Sequence, residues 1–488
     1  MSLLREIAKG AAWTAASRWL SQATQVVVSV IVARLLSPED YGLMGMSAAF
    51  TGFVVLFANL GMGPALVHAD ELDEPLVHTA VWSTLGVAAV LYVLSFAAAP
   101  MIGAFFNEPR VVPVIRVAAL AFLVGPAAGV LSAVLTHDMR FRALGCVDLA
   151  GAWAGQMAAL IAAWQGFGVW SLVAASLTQQ CVRLGLLLRI TRYRPRLWFD
   201  RLRFKALFSY GSNILGSNIL GFFGRNADNL LIGRYLGAQA LGYYDLAYQI
   251  MMRPIVYLSG TVTRPLFPAL SKLKHDKKKA AETYMQVIGF LALLTTPVML
   301  GVASVAPEFV HVVLGEKWGP AVPLIQILAV VGALQCVGTT VGDIYQSQGR
   351  TDLMFKLYLF GTPMVVLVFW VGVRWGVLGV ALTYAAWCFA YAGLSHAIAN
   401  HVIGLPNRRF LQTLLPSTLA SLVMVGAVWG GRVALTGSLP MGLPRLVVLV
   451  AVGVVVYVGV MVALGPPEVA SLRALARERI ARWQAQRA

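Results

Sequence analysis

Leu446-Val-Val-Leu-Val-Ala-Val-Gly-Val-Val-Val-Tyr-Val-Gly-Val-Met-Val-Ala-Leu464 runs for nineteen residues without a charge. Wound as a helix it reaches about 28 Å, close to the ~30 Å of hydrocarbon in a bilayer. It is apolar on every face, so its solvent is lipid or protein interior, not water. Val81–Ala99, Val114–Leu135 and Val365–Val373 share this character, with few or no charges. The whole chain agrees: 59% of its 488 residues are hydrophobic and 12% are charged, and the mean hydropathy is +0.74. Such a balance excludes a water-soluble globular protein. Met1–Lys9 lacks the apolar core and small-residue cleavage site of a secretory signal, so the first helix is expected to stay in the product. Cys146, Cys181, Cys336 and Cys388 form no CxxC pair and lie near no histidine cluster, and they read as small buried hydrophobes.

Working outward, the apolar segments give an all-α membrane protein of about fourteen transmembrane helices. They lie near 12–36, 42–66, 77–105, 112–136, 145–164, 168–188, 206–233, 240–266, 281–305, 321–346, 356–372, 376–400, 410–430 and 445–464. A net charge of +17 would raise the question of nucleic acid in a soluble protein, but here its distribution points to membrane topology instead. With the N-terminus inside, the cytoplasmic segments hold about 25 basic residues, chiefly in 189–205, 272–279 and the tail after Arg473. The outside segments hold about 7: Arg34, Arg110, Arg234, Lys317, Arg374, Arg432 and Arg445. The excess places both termini in the cytoplasm. The acidic loop Asp70, Glu71, Asp73 and Glu74 departs from the pattern, but acids weigh little in it.

The basic connection Arg189–Lys205 looks like a seam. Ala33-Arg34-Leu35-Leu36-Ser37 precedes Gly42, and Gly233-Arg234-Tyr235-Leu236-Gly237 precedes Gly242, so Arg, Leu and Gly recur at an offset of two hundred residues. Six helices separate the copies, and an even number preserves orientation, as in a parallel repeat; coincidence among common residue types is the alternative. The expected layout is an N-lobe at 1–190, a basic linker at 191–205, a C-lobe at 206–402, two added helices within 403–465 and a tail at 466–488. The two six-helix lobes would enclose a central cavity. In the tail, Val469, Leu472, Ala476, Ile480 and Trp483 share a helical face, which suits either a helix on the anionic leaflet or a solvated end.

Polar residues within spans are costly: an arginine facing lipid at mid-span costs at least roughly 2.5–3.5 kcal/mol. Arg116, Arg183 and Arg264 lie near helix ends, where snorkelling accounts for them. Arg18, Arg225 and Arg253 lie deeper and become the candidate cationic groups. They align with other polar side chains at helical spacing. Gln22, Gln25 and Ser29 follow Arg18, while Asn213, Ser217, Asn218 and Asp228 accompany Arg225. Asp245, Gln249 and Tyr257 flank Arg253, and Gln335, Thr339, Asp343 and Gln346 form a further stripe. Such stripes suit a hydrated cavity; the competing account is hydrogen bonding between packed helices, with Arg225 paired to Asp228.

A cavity richer in guanidinium than in carboxylate suits an anion with a planar array of oxygens, phosphate above all. One such pair at ~4 Å and an effective dielectric of ~20 is worth about 4 kcal/mol before desolvation. Asp228, Asp245 or Asp343 could take up a proton or sodium ion as access changes. No phosphate loop, HExxH, GxSxG or sizeable exterior domain is present in the sequence, so neither an enzyme nor a resident cofactor or metal is expected.

The stretch Ala33-Arg-Leu-Leu-Ser-Pro-Glu-Asp-Tyr-Gly-Leu43 with Asn59-Leu-Gly-Met-Gly-Pro-Ala-Leu66 resembles the N-terminal half of the polysaccharide transporter family, the Wzx-type oligosaccharide flippases. Arg225-Asn-Ala-Asp-Asn-Leu-Leu-Ile-Gly-Arg-Tyr-Leu-Gly237, Leu241-Gly-Tyr-Tyr-Asp-Leu-Ala-Tyr248 and Phe267-Pro-Ala-Leu-Ser271 resemble its second half. The resemblance covers about residues 8 to 400. It implies the multidrug/oligosaccharidyl-lipid/polysaccharide exporter superfamily and alternating access. It also implies transfer of polyprenyl-pyrophosphate-linked oligosaccharide to the periplasmic leaflet. Its implied partners are that lipid, membrane lipids, a glycan polymerase and glycosyltransferases, and no nucleic acid. A multidrug or small-molecule antiporter and a lipid II flippase are the alternatives within the superfamily. The Ser37–Leu43 and Gly237–Tyr243 segments are expected to fix turns and packing, not to touch substrate.

Overall fold

A computed structural model describes residues 24–58, 62–67, 72–196, 198–260 and 266–470, and holds no strand among them. Ten stretches there are long and apolar enough to cross a membrane, and Thr24–Leu35 (α1) is a shorter apolar helix. The chain forms two compact units, Met1–Gly242 and Tyr243–Ala488.

In the first unit follow α2 (Pro38–Ala58), α3 (Met62–Val67), α4 (Glu74–Phe106), α5 (Val111–Ala118), α6 (Ala121–His137), α7 (Phe141–Trp164) and α8 (Val169–Thr191). α2 starts four residues before its expected beginning because Ser37 and Asp40 cap each other. The Asp40 carboxylate accepts from the Ser37 backbone N–H at 2.8 Å and its hydroxyl at 2.7 Å, and the Ser37 hydroxyl accepts from the Asp40 N–H at 3.2 Å. Proline at the first helical position completes the start. α4 begins with the Asp73 side chain accepting from the Leu76 N–H at 3.1 Å. It ends on Asn107 in the left-handed region, whose neighbour Glu108 bonds back to the Gly103 carbonyl at 3.0 Å.

α7 and α8 pack through small residues. Gly151, Gly155, Ala159 and Ala163 are all buried on one stripe of α7, and a Cβ on Gly155 would sit 2.7 Å from the Ala175 carbonyl. Lipid supplies no hydrophobic force between helices, so close backbone approach of this kind holds them together. The expected single helix at 112–136 is instead broken: Leu120, Phe122 and Leu123 donate to carbonyls three residues back, a tight turn between α5 and α6.

α9 (Arg201–Pro254) bends at Gly237, whose φ of 83° lies in the region only glycine enters freely. Beyond it the chain passes close to the start of α2. A Cβ on Gly42 would lie 1.7 Å from the Ala238 carbonyl oxygen, and one on Gly242 would lie 1.8 Å from that of Pro38. The two copies of the repeated segment thus cross through reciprocal glycine contacts.

The second unit continues with a π-turn at Ile255–Ser259, then α10 (Leu266–Lys272), α11 (Lys277–Phe309), α12 (Val322–Gly338), α13 (Val341–Ser347), α14 (Thr351–Gly372), α15 (Gly376–Val402), α16 (Asn407–Leu435) and α17 (Leu443–Leu464). The helix expected at 321–346 is likewise divided, at Thr339–Thr340, where Thr340 bonds back three residues to Val337. The buried Tyr284 hydroxyl meets the Thr340 hydroxyl at 3.0 Å across this break. Cys336 is buried, but Cys146 and Cys181 are exposed, contrary to expectation. They lie on helices whose outer faces have lipid to meet, where a thiol incurs no penalty.

Candidate functional site

The candidates fall on several elements, and each is placed within its own unit. Arg18 and Gln22 lie outside the described residues, as do Arg264, Asp70, Glu71 and the tail beyond residue 470. Gln25 is exposed on α1. Asn213, Ser217 and Asn218 belong to a part of α9 whose side chains fall outside the described residues.

Arg225 is exposed and folds back over Gly221, its guanidinium within 3.5 Å of where a Cβ would stand. It makes no ion pair among the described residues, so the pairing to Asp228 considered from sequence is not formed. Asp228 is only 4% exposed and accepts from the Asn229 N–H at 2.8 Å. About two turns beyond the Gly237 bend, the Gln249 amide donates to the Asp245 carboxylate at 2.7 Å. Arg253 follows on the same face, half-buried and with no acid partner among the described residues. Tyr257 lies half-buried in the π-turn. The structure therefore joins Asp245 to Gln249 and places Arg253 one turn on, without an acid partner among the described residues.

The last stripe divides. Gln335 donates to the Tyr384 hydroxyl at 2.7 Å, tying α12 to α15. Thr339 is exposed and donates to its own helix at the Cys336 carbonyl, 2.7 Å away. Asp343 is half-buried in the first turn of α13.

Three groups have partners that the sequence did not show. Arg183 Nε lies 3.0 Å from Asp148 and its Nη2 donates to Ser132 at 3.1 Å, linking α8 to α7 and α6. Arg116 lies over the Phe96 ring, 4.4 Å from its centroid. Arg432 and Arg445, read as loop charges, converge on Glu308. Glu308 has a side-chain exposure of 0%, against 20% and 5% for the two arginines. Arg432 grips it through two bonds of 2.7 Å and also donates to the Ser304 carbonyl. Arg445 Nε is 3.7 Å from the same carboxylate, and its Nη2 reaches the Arg432 carbonyl at 3.1 Å.

At one end of the first unit, the segment after α8 is laid against the start of α4. The Tyr193 hydroxyl is 2.7 Å from His78 Nδ1, the Trp82 indole donates to the Arg196 carbonyl at 2.7 Å, and the Asp200 N–H donates to Thr79 at 3.1 Å. Burial pushes the Tyr193 phenol up to about 12, so it remains protonated. A cavity of about 280 Å³ opens there, lined by Asp73, Glu74, Asp138, Arg192, Arg194 and Arg196 among others. At the opposite end, a charge-assisted bond from Arg110 holds the Glu108 carboxyl below the usual range. Arg110 also reaches Glu39 at 3.0 Å.

Residues 31–323 match the model of a family described as "Polysaccharide biosynthesis protein". The chain is 27% identical to the teichuronic acid biosynthesis protein TuaB of Bacillus subtilis, over 95% of this chain and 97% of that one. It is 25% identical to the succinoglycan biosynthesis transport protein ExoT of Rhizobium meliloti, over 82% and 77%. Among solved structures, the lipid II flippase MurJ in an inward closed conformation superposes with a TM-score of 0.76 at 12% identity, covering 93% of this chain and 98% of that one. At that identity the likeness shows a shared fold, an all-α architecture with many helices long and apolar enough to cross a membrane.

Proposed function

The chain belongs to the polysaccharide biosynthesis protein family, and from that premise we propose that it is a flippase for a polyprenyl-pyrophosphate-linked oligosaccharide. It moves this lipid from the cytoplasmic to the periplasmic leaflet of a bacterial inner membrane, by alternating access, for synthesis of an exopolysaccharide, capsule or lipopolysaccharide. Relatives along most of the chain support a role in surface glycan synthesis, and one carries transport in its name. The basic residues of 189–205 and 272–279 support cytoplasmic termini, and the repeat at an offset of two hundred residues supports lobes at 1–190 and 206–402.

The observation that carries the choice of an anionic substrate is Arg253. A guanidinium held on an apolar chain without an acid costs several kcal/mol unless an anion or water meets it, and a pyrophosphate offers the bidentate oxygens that guanidinium prefers. Arg225 and Arg18 are the further cations assigned to the same head group. Asp228, Asp245 and Asp343 are the groups assigned to proton or sodium coupling, and a glycan polymerase and glycosyltransferases are its working partners.

Arg253→Ala is expected to reach the membrane in normal amounts and to abolish export of the glycan, with lipid-linked oligosaccharide accumulating in the cytoplasmic leaflet. Arg253→Lys, which keeps the charge but loses the fork, is expected to export partially. Unchanged export by the alanine variant at normal protein level removes Arg253 from the mechanism.

A further inference from the structure

In the second unit, the start of α11 and the turn between α15 and α16 enclose a cavity of about 190 Å³. Its rim carries Lys277, Lys278 and Arg409, all exposed, and its wall includes Met285, Ile403 and Leu405. The wall is firmly built. α15 ends on Gly404, with a φ of 70°, and the N–H groups of Gly404 and Leu405 bond back to the His401 and Asn400 carbonyls at 3.2 and 2.8 Å. This is the Schellman arrangement, and it holds Ile403 and Leu405 inward at 1% and 4% exposure.

The charges at the rim are left over once local needs are met. Asp276 caps α11 through the Lys279 N–H at 3.1 Å and takes the Lys279 ammonium at 3.3 Å. Lys277, Lys278 and Arg409 have no ion pair among the described residues. Glu282 is the one carboxylate lining the cavity, so three cations face a single acid. The residues just beyond the cavity are of another kind. Leu411, Leu415, Leu419 and Leu422 project from α16 at exposures of 62%, 51%, 43% and 55%. Their spacing puts them on one exposed helical stripe that starts two residues after Arg409, on another face of the helix, and runs down the span.

We propose that this cavity binds the phosphodiester head of an anionic phospholipid, with its acyl chains in the bilayer beside α16. Basic recesses between membrane helices at the interface favour such heads electrostatically, and the exposed leucines of α16 show that this helix also meets hydrocarbon, for which free phosphate has no use. On the topology proposed above, the lipid belongs to the cytoplasmic leaflet. This site is separate from the Arg253 face and does not depend on which glycan is moved.

The test is native mass spectrometry of the purified full chain, titrated with phosphatidylglycerol, phosphatidylcholine, polyprenyl pyrophosphate or inorganic phosphate. The wild type is expected to retain phosphatidylglycerol over phosphatidylcholine. The variant Lys277→Gln/Lys278→Gln/Arg409→Gln is expected to lose that retention on the order of a hundredfold, about fivefold for each charge removed. Lys277→Arg/Lys278→Arg/Arg409→Lys should restore it, showing that charge and not fold was lost. Equal phosphatidylglycerol binding by the wild type and the neutral variant overturns the proposal. So does displacement by inorganic phosphate at matching concentration, or a preference for polyprenyl pyrophosphate at this site.

Discussion

Glu308→Ala should lower the stability of the purified protein by about 3–5 kcal/mol, seen as a large drop in melting temperature in detergent micelles. Glu308 is fully enclosed where α11, α16 and α17 meet, and it is the acid facing both Arg432 and Arg445. Removing it leaves two guanidinium groups side by side, with exposures of only 20% and 5%, and no acid partner among the described residues. The cost is the desolvation of those cations, more than the attraction lost. The double variant Glu308→Leu/Arg432→Leu should therefore be less destabilised than Glu308→Ala, because it removes charge from both sides. A single alanine variant as stable as the wild type would show that water already screens the cluster.

Gly42→Ala and Gly242→Ala should each destabilise by about 3 kcal/mol, the upper end for overpacking. The reason is what the added methyl would meet. Backbone oxygens stand 1.7 and 1.8 Å from the two Cβ positions, and a backbone cannot rotate aside as a side chain does. Gly86→Ala is the control: nothing lies within 4 Å of its Cβ position on α4. It should be neutral or stabilising by up to about 1 kcal/mol through helix propensity. Equal melting temperatures for all three variants would mean that the 38–42 and 238–242 segments separate without cost.

The spans were legible because hydrocarbon admits only long apolar helices, and that demand is written directly into runs such as Leu446–Leu464. The importance of Gly42 and Gly242 was legible from their recurrence at a fixed offset, though their contact was not. The breaks near Leu120 and Thr339 were hidden, since Ala118-Ala119-Leu120-Ala121 contains no helix breaker and the apolar run continues across it. Glu308 was missed because its helix was expected to end at residue 305, four positions before its end at Phe309. Arg183 and Arg432 were read from depth alone, and pairing between helices cannot be seen along one segment. The same limit applies to the candidate site. Asp245 and Gln249 meet because they are four residues apart on one helix, whereas the link from Gln335 to Tyr384 needed the fold.

The central claim is tested most directly by translocation in liposomes. Purified protein is reconstituted with a fluorescent polyprenyl-pyrophosphate oligosaccharide, and a membrane-impermeant quencher reports the fraction reaching the outer leaflet. Wild-type protein should expose the protected pool, while Arg253→Ala liposomes should match empty ones. Wild-type protein that moves the lipid no faster than empty liposomes, or that moves it equally well without Arg253, would contradict the account.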